Sequence, residues 1–193
     1  METGQRGTGR DRIVDAALEV GEERGWANVR LYQVAERAGV PLATIGAEFR
    51  DPDALANAWF ARALAMVEQI PPQALADQPA PERLHFVIMR WFETLAPHRQ
   101  VTGEMLRAKL YFSHPQHWVP LVFDLSRLIH WFLDAARIAS TGRARQLAEI
   151  GLTAVFLGSL RVWLRDDSAG SERTRAYLRD RLAAADRLWA RLA

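Results

Sequence analysis

At residues 34–40 the chain reads Val34-Ala35-Glu36-Arg37-Ala38-Gly39-Val40. A helix-turn-helix requires a small residue where its two helices cross, a glycine at the turn and an apolar residue after the turn. Ala35, Gly39 and Val40 supply these residue types in that order. Farther along, Ile45 and Phe49 have the spacing that packs a third helix against the first. The sequence therefore predicts three short helices that pack on one another near the amino end.

Helical spacing of apolar residues extends in both directions from this stretch. A first helix is predicted to stop at Gly25, and Asp51-Pro52 has the residue types of an N-cap and first turn for a long fourth helix. Prolines in residues 71–81 mark the end of that helix and a junction. Further helices are predicted at residues 82–96, 99–112, 116–139, 143–165 and 172–192.

The absence of strand-like alternation predicts an all-α fold of about nine helices. We expect three regions along the chain. Residues 1–9 are glycine-containing and poor in apolar residues, which indicates a disordered arm. Residues 10–50 form the helix-turn-helix head, and residues 51–193 form a larger helical domain.

Composition and charge narrow the function classes. The 193 residues include no cysteine, which fits a reducing compartment, and no apolar run approaches the length of a membrane-spanning helix. No signal peptide is visible, so a cytoplasmic protein is expected. Residues 1–69 hold 8 arginines and 11 acidic residues, whereas residues 70–193 hold 17 basic and 12 acidic residues. Because phosphate attraction dominates affinity for DNA, the acidic head weighs against strong DNA binding.

Residues 10–60 resemble the N-terminal domain of TetR-family transcriptional regulators. The resemblance implies a homodimer whose third helices enter adjacent major grooves, and a pocket in the larger domain whose ligand moves those helices. It implies a one-component repressor that an apolar small molecule releases from its DNA operator. No phosphate loop, nucleophile elbow or pair of catalytic carboxylates occurs, so neither enzyme activity nor a cofactor is expected.

The DNA contacts of the family can be carried over position by position. They fall on Arg30, Arg37, Pro41, Leu42, Thr44 and Arg50. Several residues depart from the usual pattern: Pro41 replaces a serine or threonine of the turn, Gly46 replaces a tyrosine, and Pro52 replaces a lysine of the fourth helix. The residues that pack the head are therefore present, while most of the residues that usually contact DNA are missing.

Large aromatic and methionine side chains are concentrated in the second domain, and they suit the lining of an apolar cavity or, alternatively, an ordinary core. The predicted ligand-binding residues are Met89, Trp91, Phe92, Met105, Tyr111, Phe112, Trp118, Phe123, Trp131, Phe156 and Trp163. His114 and His117 lie close together, but no third ligand is near them in sequence. No metal site is therefore predicted.

The resemblance implies that the last two helices, at residues 143–165 and 172–192, form the homodimer interface. Gly151, Ala154, Gly158 and Ser159 form a stripe of small residues that suits close helix packing between subunits or within one. Six arginines accompany Trp189 on the final helix. This helix is either a peripheral contact with a membrane surface or an amphipathic helix docked on protein.

A second function remains open on the sequence alone. Lipid-binding accessory proteins of ubiquinone biosynthesis share the TetR fold but no longer bind DNA. The Gly25-Trp26 pair, the weak third helix and the arginine-rich tail are similar to that group. The alternative hypothesis is therefore a lipid- or isoprenoid-binding protein without DNA binding.

Overall fold

The computed structural model describes residues 9–109 and 115–192, and for residues 115–123 and 189–192 it describes the backbone alone. Within these ranges all of the regular secondary structure is helical, with no strand. The nine α-helices are α1 (Gly9–Arg24), α2 (Leu31–Ala38), α3 (Leu42–Glu48), α4 (Pro52–Glu68), α5 (Ala80–Leu95), α6 (Arg99–Lys109), α7 (Pro115–Ala135), α8 (Gly142–Trp163) and α9 (Glu172–Leu192). Short 3-10 helices lie at Trp26–Asn28, Pro72–Leu75, Ala96–His98 and Ala169–Ser171.

The predicted all-α fold is confirmed. Gly9 is the first residue of α1, so it is helical and not part of the arm predicted for residues 1–9; residues 1–8 lie outside the described ranges. Gly39 has φ 66° and ψ 38°, the left-handed conformation that the sequence predicts for the residue after α2. Asp51 accepts a hydrogen bond of 2.8 Å from the backbone N–H of Ala54 and so caps α4 as expected.

The described residues form two compact units. The first comprises residues 9–62 and 98–109, and the second comprises residues 63–97 and 115–192. This division differs from the predicted boundary after residue 50. The first part of α4 and all of α6 belong to the same unit as the helix-turn-helix: Arg62 of α4 pairs with Asp15 of α1 at 2.5 Å, and Trp59 Nε1 of α4 donates to Thr102 Oγ1 of α6 at 2.9 Å.

The core of the first unit lies where α1, α2 and α3 meet. Helices α1 and α2 pack on each other, and Ile13, Ala17 and Val20 of α1 and Val34 of α2 are all at most 3% exposed. Gly21 allows a close approach of α6, since a Cβ atom there would lie 3.0 Å from a methyl group of Val101. Apolar burial of this kind is what drives three short helices to associate.

The core of the second unit is aromatic. Phe92 stacks on Phe156 with ring centroids 5.8 Å apart and on Trp163 with centroids 5.3 Å apart. Trp91 meets Phe156 edge-on at 5.5 Å. These rings come from α5 and α8, and Phe132 of α7 joins them. Stacked and edge-on rings add to the stabilisation that apolar burial provides.

Candidate nucleic-acid interface

The turn between α2 and α3 is fixed by backbone hydrogen bonds. Val40 N–H donates to the carbonyl of Ala35 at 3.0 Å, which closes α2. Pro41 then precedes α3 with φ −59°, and the carbonyl of Pro41 accepts from Thr44 N–H at 2.9 Å. A proline suits this position because the first residues of a helix have no intrahelical acceptor for their N–H groups.

Helix α3 has one buried side and one outer side. Ile45 is fully buried and Phe49, directly after the helix, is 1% exposed. The remaining side chains from position 41 to position 48 are exposed, and Leu42 keeps 52% of its surface in solvent. Pro41, Leu42 and Thr44 are therefore all exposed at the start of α3, with Leu42 and Thr44 on opposite sides of the helix.

Two of the arginines predicted to contact DNA, Arg37 and Arg30, are hydrogen-bonded to other residues of the head. The guanidinium of Arg37 donates to Glu19 Oε2 at 3.0 Å and to Glu23 at 2.6 Å, and these hydrogen bonds raise the pKa of Arg37. The guanidinium of Arg30 donates to the backbone carbonyls of Ala27 and Val29. Both side chains are therefore engaged within the head.

Arg50 is more exposed than Arg37. Its side chain is 86% exposed and pairs with Asp51 at 3.0 Å. An exposed pair of this kind contributes little to stability and can exchange partners. Arg50 directly follows the outer surface of α3 in the chain, so it is available for a phosphate beside that surface.

Two further arginines on α1, which the sequence did not single out, lie beside α3. Arg10 Nη1 pairs with Glu48 Oε2 at 3.0 Å, and its guanidinium lies 4.6 Å from the centre of the Phe49 ring. Arg12 donates to the carbonyl of Ala38 at 3.3 Å. Together with Thr44 these residues line an open cavity of about 330 Å³ between α1 and α3. Only the basic character of the first turn of α1 signalled them in the sequence.

The predicted ligand-binding residues divide into groups. Met89, Trp91, Phe92, Phe156 and Trp163 are buried in the aromatic core of the second unit. Met105 is also buried, but it belongs to α6 in the first unit. Trp131 is 42% exposed, because the buried positions within residues 124–135 of α7 are Ile129, Phe132 and Leu133 on the other face. Tyr111 and Phe112 lie outside the described residues, and so do the side chains of Trp118 and Phe123.

The predicted stripe of small residues on α8 also divides. Gly151 and Ala154 are exposed, and a Cβ atom at Gly151 would meet nothing within 4 Å. Ser159 is fully buried, and a Cβ atom at Gly158 would lie 2.6 Å from the hydroxyl oxygen of Tyr177. The second half of the stripe thus serves packing of α8 on α9 within one subunit, and the first half faces outward.

Comparison with known proteins identifies the family. The model of the bacterial regulatory proteins of the tetR family matches residues 13–59. The crystal structure of a TetR transcriptional regulator from Nitrosomonas europaea is 36% identical, with a TM-score of 0.82, over 92% of this chain and 97% of that one. The chain belongs to the TetR family of transcriptional regulators.

Other similar solved structures share less sequence identity with this chain. A TetR transcriptional regulator from a Rhodococcus species is 19% identical over 93% of this chain and 97% of its own, with a TM-score of 0.62, and so shows the fold alone. The multidrug binding protein EbrR, solved in complex with imidazole, is 28% identical over 94% of this chain and 96% of its own, with a TM-score of 0.53. No curated protein sequence matches.

Proposed function

We propose that the chain represses transcription by binding operator DNA as a homodimer and that an apolar ligand releases it. The observation that carries this proposal is the outer surface of α3. Ile45 and Phe49 anchor the helix in the core, while Leu42 and Thr44 are left exposed. A second helix of a helix-turn-helix held in this way fits the major groove. Such a regulator works in the cytoplasm, where it meets DNA, and has no enzymatic step.

An exposed apolar face on α8 supports the homodimer. Leu147, Ile150 and Leu157 are 55%, 68% and 46% exposed, and Gly151 and Ala154 lie between them on the same helix face. Large apolar side chains grouped on one exposed face indicate a protein interface. The small residues among them allow two helix backbones to approach closely. We therefore place the dimer contact on α8, with α9 beside it.

The aromatic core of the second unit supports an apolar ligand. Trp91, Phe92 and Phe156 are rings that a flat apolar molecule can stack on or replace. The relative EbrR is described as a multidrug binding protein. A ligand inserted among these rings has to displace aromatic contacts, and this displacement would be the source of the conformational change.

The test of DNA binding is electrophoretic retardation of DNA that flanks the protein's own gene, at several salt concentrations. We expect a palindromic footprint and an affinity that falls steeply with salt. R50A should lower the affinity for all sequences and reduce the salt slope by about 1, as loss of one phosphate contact does. R127A removes an exposed arginine of α7 and serves as the control. No retardation at low salt would exclude the proposal.

The dimer is tested by sedimentation. I150E places a charge in the middle of the exposed α8 face, and we expect it to convert the dimer to a monomer. Q100E adds the same charge at an exposed polar position of α6, in the first unit, and should leave the dimer intact. A wild-type monomer, or an I150E dimer as tight as the wild type, would contradict the assignment of the interface.

A second candidate is a lipid-binding protein of the TetR fold that no longer binds DNA. It is favoured by the pairing of Arg37 with Glu19 and Glu23 and of Arg10 with Glu48, which engages two arginines of the head with acidic partners. Exposed arginines on α9, including Arg179 and Arg187, would then meet an anionic membrane surface. No helix in the described ranges is both long and apolar enough to span a membrane.

Native mass spectrometry and liposome sedimentation separate the two candidates. The lipid-binding protein should carry a co-purified apolar molecule and sediment with vesicles of anionic phospholipid, but not with zwitterionic vesicles. Protein that is free of lipid and indifferent to both vesicles would exclude the second candidate. Retardation of operator DNA by the same preparation would favour the first.

A further inference from the structure

The outer surface of α3 lacks the side chains that usually read bases. Arginine and lysine read guanine, and asparagine and glutamine read adenine, by paired hydrogen bonds in the major groove. None of these four residue types occurs in Leu42–Glu48. Sequence reading by this helix therefore has to use another chemistry.

The outermost positions of α3 are apolar. At 3.6 residues per turn, Ala43 and Ala47 lie on the side of the helix opposite the buried Ile45 and Phe49. Leu42 lies nearer the buried side, but it is the first residue of α3 and is 52% exposed, and the N-terminal residues of a recognition helix contact base edges. In the major groove the group that apolar side chains recognise is the C5-methyl group of thymine.

We propose that α3 selects its operator by contacts of Leu42, Ala43 and Ala47 with thymine methyl groups. This inference rests on the proposed DNA-binding function and specifies the base chemistry of that same surface. Gly46 assists, because a Cβ atom there would meet nothing within 4 Å and its absence lets the helix backbone approach the base edges. The exposed hydroxyl of Thr44 remains for a phosphate or a base edge.

Glu48 is the one charged side chain of α3, and its position argues against a role in base reading. A free glutamate would accept a hydrogen bond from cytosine N4. The Glu48 carboxylate instead pairs with Arg10, whose guanidinium is also held over the Phe49 ring. The carboxylate is thereby partly neutralised beside the apolar surface, so that thymine contact remains the main sequence signal.

The test begins with a duplex selected by the protein from a random-sequence DNA library. The selected duplex is synthesised again with deoxyuridine in place of thymidine, first within the half-sites and then only in the spacer between them. We expect half-site deoxyuridine to raise the Kd about fourfold for each contacted methyl group, by the transfer free energy of one buried methyl. Deoxyuridine in the spacer should leave the Kd unchanged.

Two variants identify the contact. L42A should weaken binding to the thymidine duplex and bring the ratio of the two Kd values closer to one. R50A, the phosphate control, should weaken binding to both duplexes and keep the wild-type ratio. Circular dichroism establishes that both variants fold, as their exposed positions predict.

The outcomes separate the inference from the function on which it rests. Failure to select any sequence, with no DNA bound at low salt, overturns the proposed function itself. Selection of an operator whose deoxyuridine form binds equally well overturns methyl recognition and leaves DNA binding in place. A wild-type ratio retained by L42A overturns the assignment of the contact to Leu42.

Discussion

Lys109, the last residue of α6, donates hydrogen bonds from Nζ to Oδ1 of Asp53 at 2.5 Å and to Oδ1 of Asn57 at 2.7 Å. The Lys109 side chain is 7% exposed, and the Asp53 side chain, in the first turn of α4, is 32% exposed. This lysine, the only one in the chain, thus joins α6 to the helix that follows the helix-turn-helix.

We expect K109M to lower the free energy of unfolding. Removing one partner of a fully buried ion pair costs about 3–5 kcal/mol, but water can reach the remaining carboxylate of Asp53, so we expect about 2 kcal/mol. Urea denaturation followed by circular dichroism measures the loss. R107M removes an exposed positive charge from the same helix and should change stability by less than about 0.5 kcal/mol. Equal effects of the two substitutions would contradict the structural role of Lys109.

Asp166 holds the connection between α8 and α9. Its carboxylate accepts hydrogen bonds from Thr174 N–H at 2.8 Å, from Thr174 Oγ1 at 2.6 Å and from Ser168 N–H at 3.0 Å. Burial by itself would raise the pKa of Asp166, but the hydrogen bonds from Ser168 and Thr174 outweigh it and lower the pKa to about 2.

Because the pKa of Asp166 is lowered in the folded state, acid reduces the stability that this carboxylate contributes. Since the folded state holds this carboxylate ionised more strongly than the unfolded chain does, its contribution is fully present above pH 3.8 and is lost as the pH falls through about 2. D166A should cost about 2 kcal/mol at pH 7, because it leaves buried donors of Thr174 without their acceptor. Thermal unfolding measures this loss, and D167A, whose side chain is 82% exposed, is the control. Equal melting of the two variants would contradict the prediction.

Local features of the fold could be predicted from the sequence. Gly39 ends α2 and Asp51 caps α4, and both roles depend only on residues next to them in the chain. Ile45 and Phe49 follow helical periodicity, which predicts that they are buried. Contacts between residues far apart in the chain could not be predicted from the sequence. Glu104 of α6 accepts a hydrogen bond of 2.6 Å from the N–H of Trp26, 78 positions away, and no local pattern indicates that α6 belongs to the first unit.

In the candidate site, too, local features could be predicted from the sequence and long-range contacts could not. The exposure of Pro41, Leu42 and Thr44 follows from the position of α3 in a helix-turn-helix, which the sequence indicates. The pairing of Arg37 with Glu19 and Glu23 depends on how α2 crosses α1, so a residue predicted to contact DNA is engaged by acids instead. Trp131 could be assigned to an exposed face only once the buried side of α7 was known.

His85 of α5 gives stability a dependence on pH. It is 8% exposed, and its Nε2 lies 3.1 Å from the carbonyl oxygen of Arg175, which can only accept a hydrogen bond. Burial lowers the pKa of His85 below 6.5, although the hydrogen bond to the Arg175 carbonyl acts in the opposite direction. The positive charges of Arg179 and Arg175 lower this pKa further, and the negative charge of Glu82 raises it.

The unfolded chain therefore takes up a proton at His85 more readily than the folded chain does. Stability should be unaffected by this group well above pH 6.5 and should fall as the pH drops below that value. H85Q keeps an N–H donor for the Arg175 carbonyl but does not titrate, so its free energy of unfolding should fall less between pH 7.5 and pH 5.5. The measurement is urea denaturation of both proteins across this range. Parallel profiles would show that His85 is not the titrating group.

Gly158 and Tyr177 make room for each other where α8 packs on α9. A Cβ atom at Gly158 would lie 2.6 Å from the Tyr177 hydroxyl oxygen and 3.4 Å from the nearest ring carbons. G158A should therefore lower stability despite the better helix propensity of alanine, which is worth about 1 kcal/mol. G46A in α3 has the same gain in propensity and no neighbour within 4 Å, so it is the matched control and should not lower stability.

A double-mutant cycle isolates the clash. Y177F removes the hydroxyl oxygen and leaves only the ring contacts, so the G158A/Y177F protein should be more stable than the sum of the two single substitutions predicts. The expected coupling is about 1 kcal/mol, within the range found for residues in contact. Free energies of unfolding for the four proteins give the coupling directly. If the effects of G158A and Y177F simply add, the space at Gly158 is not reserved for the Tyr177 hydroxyl.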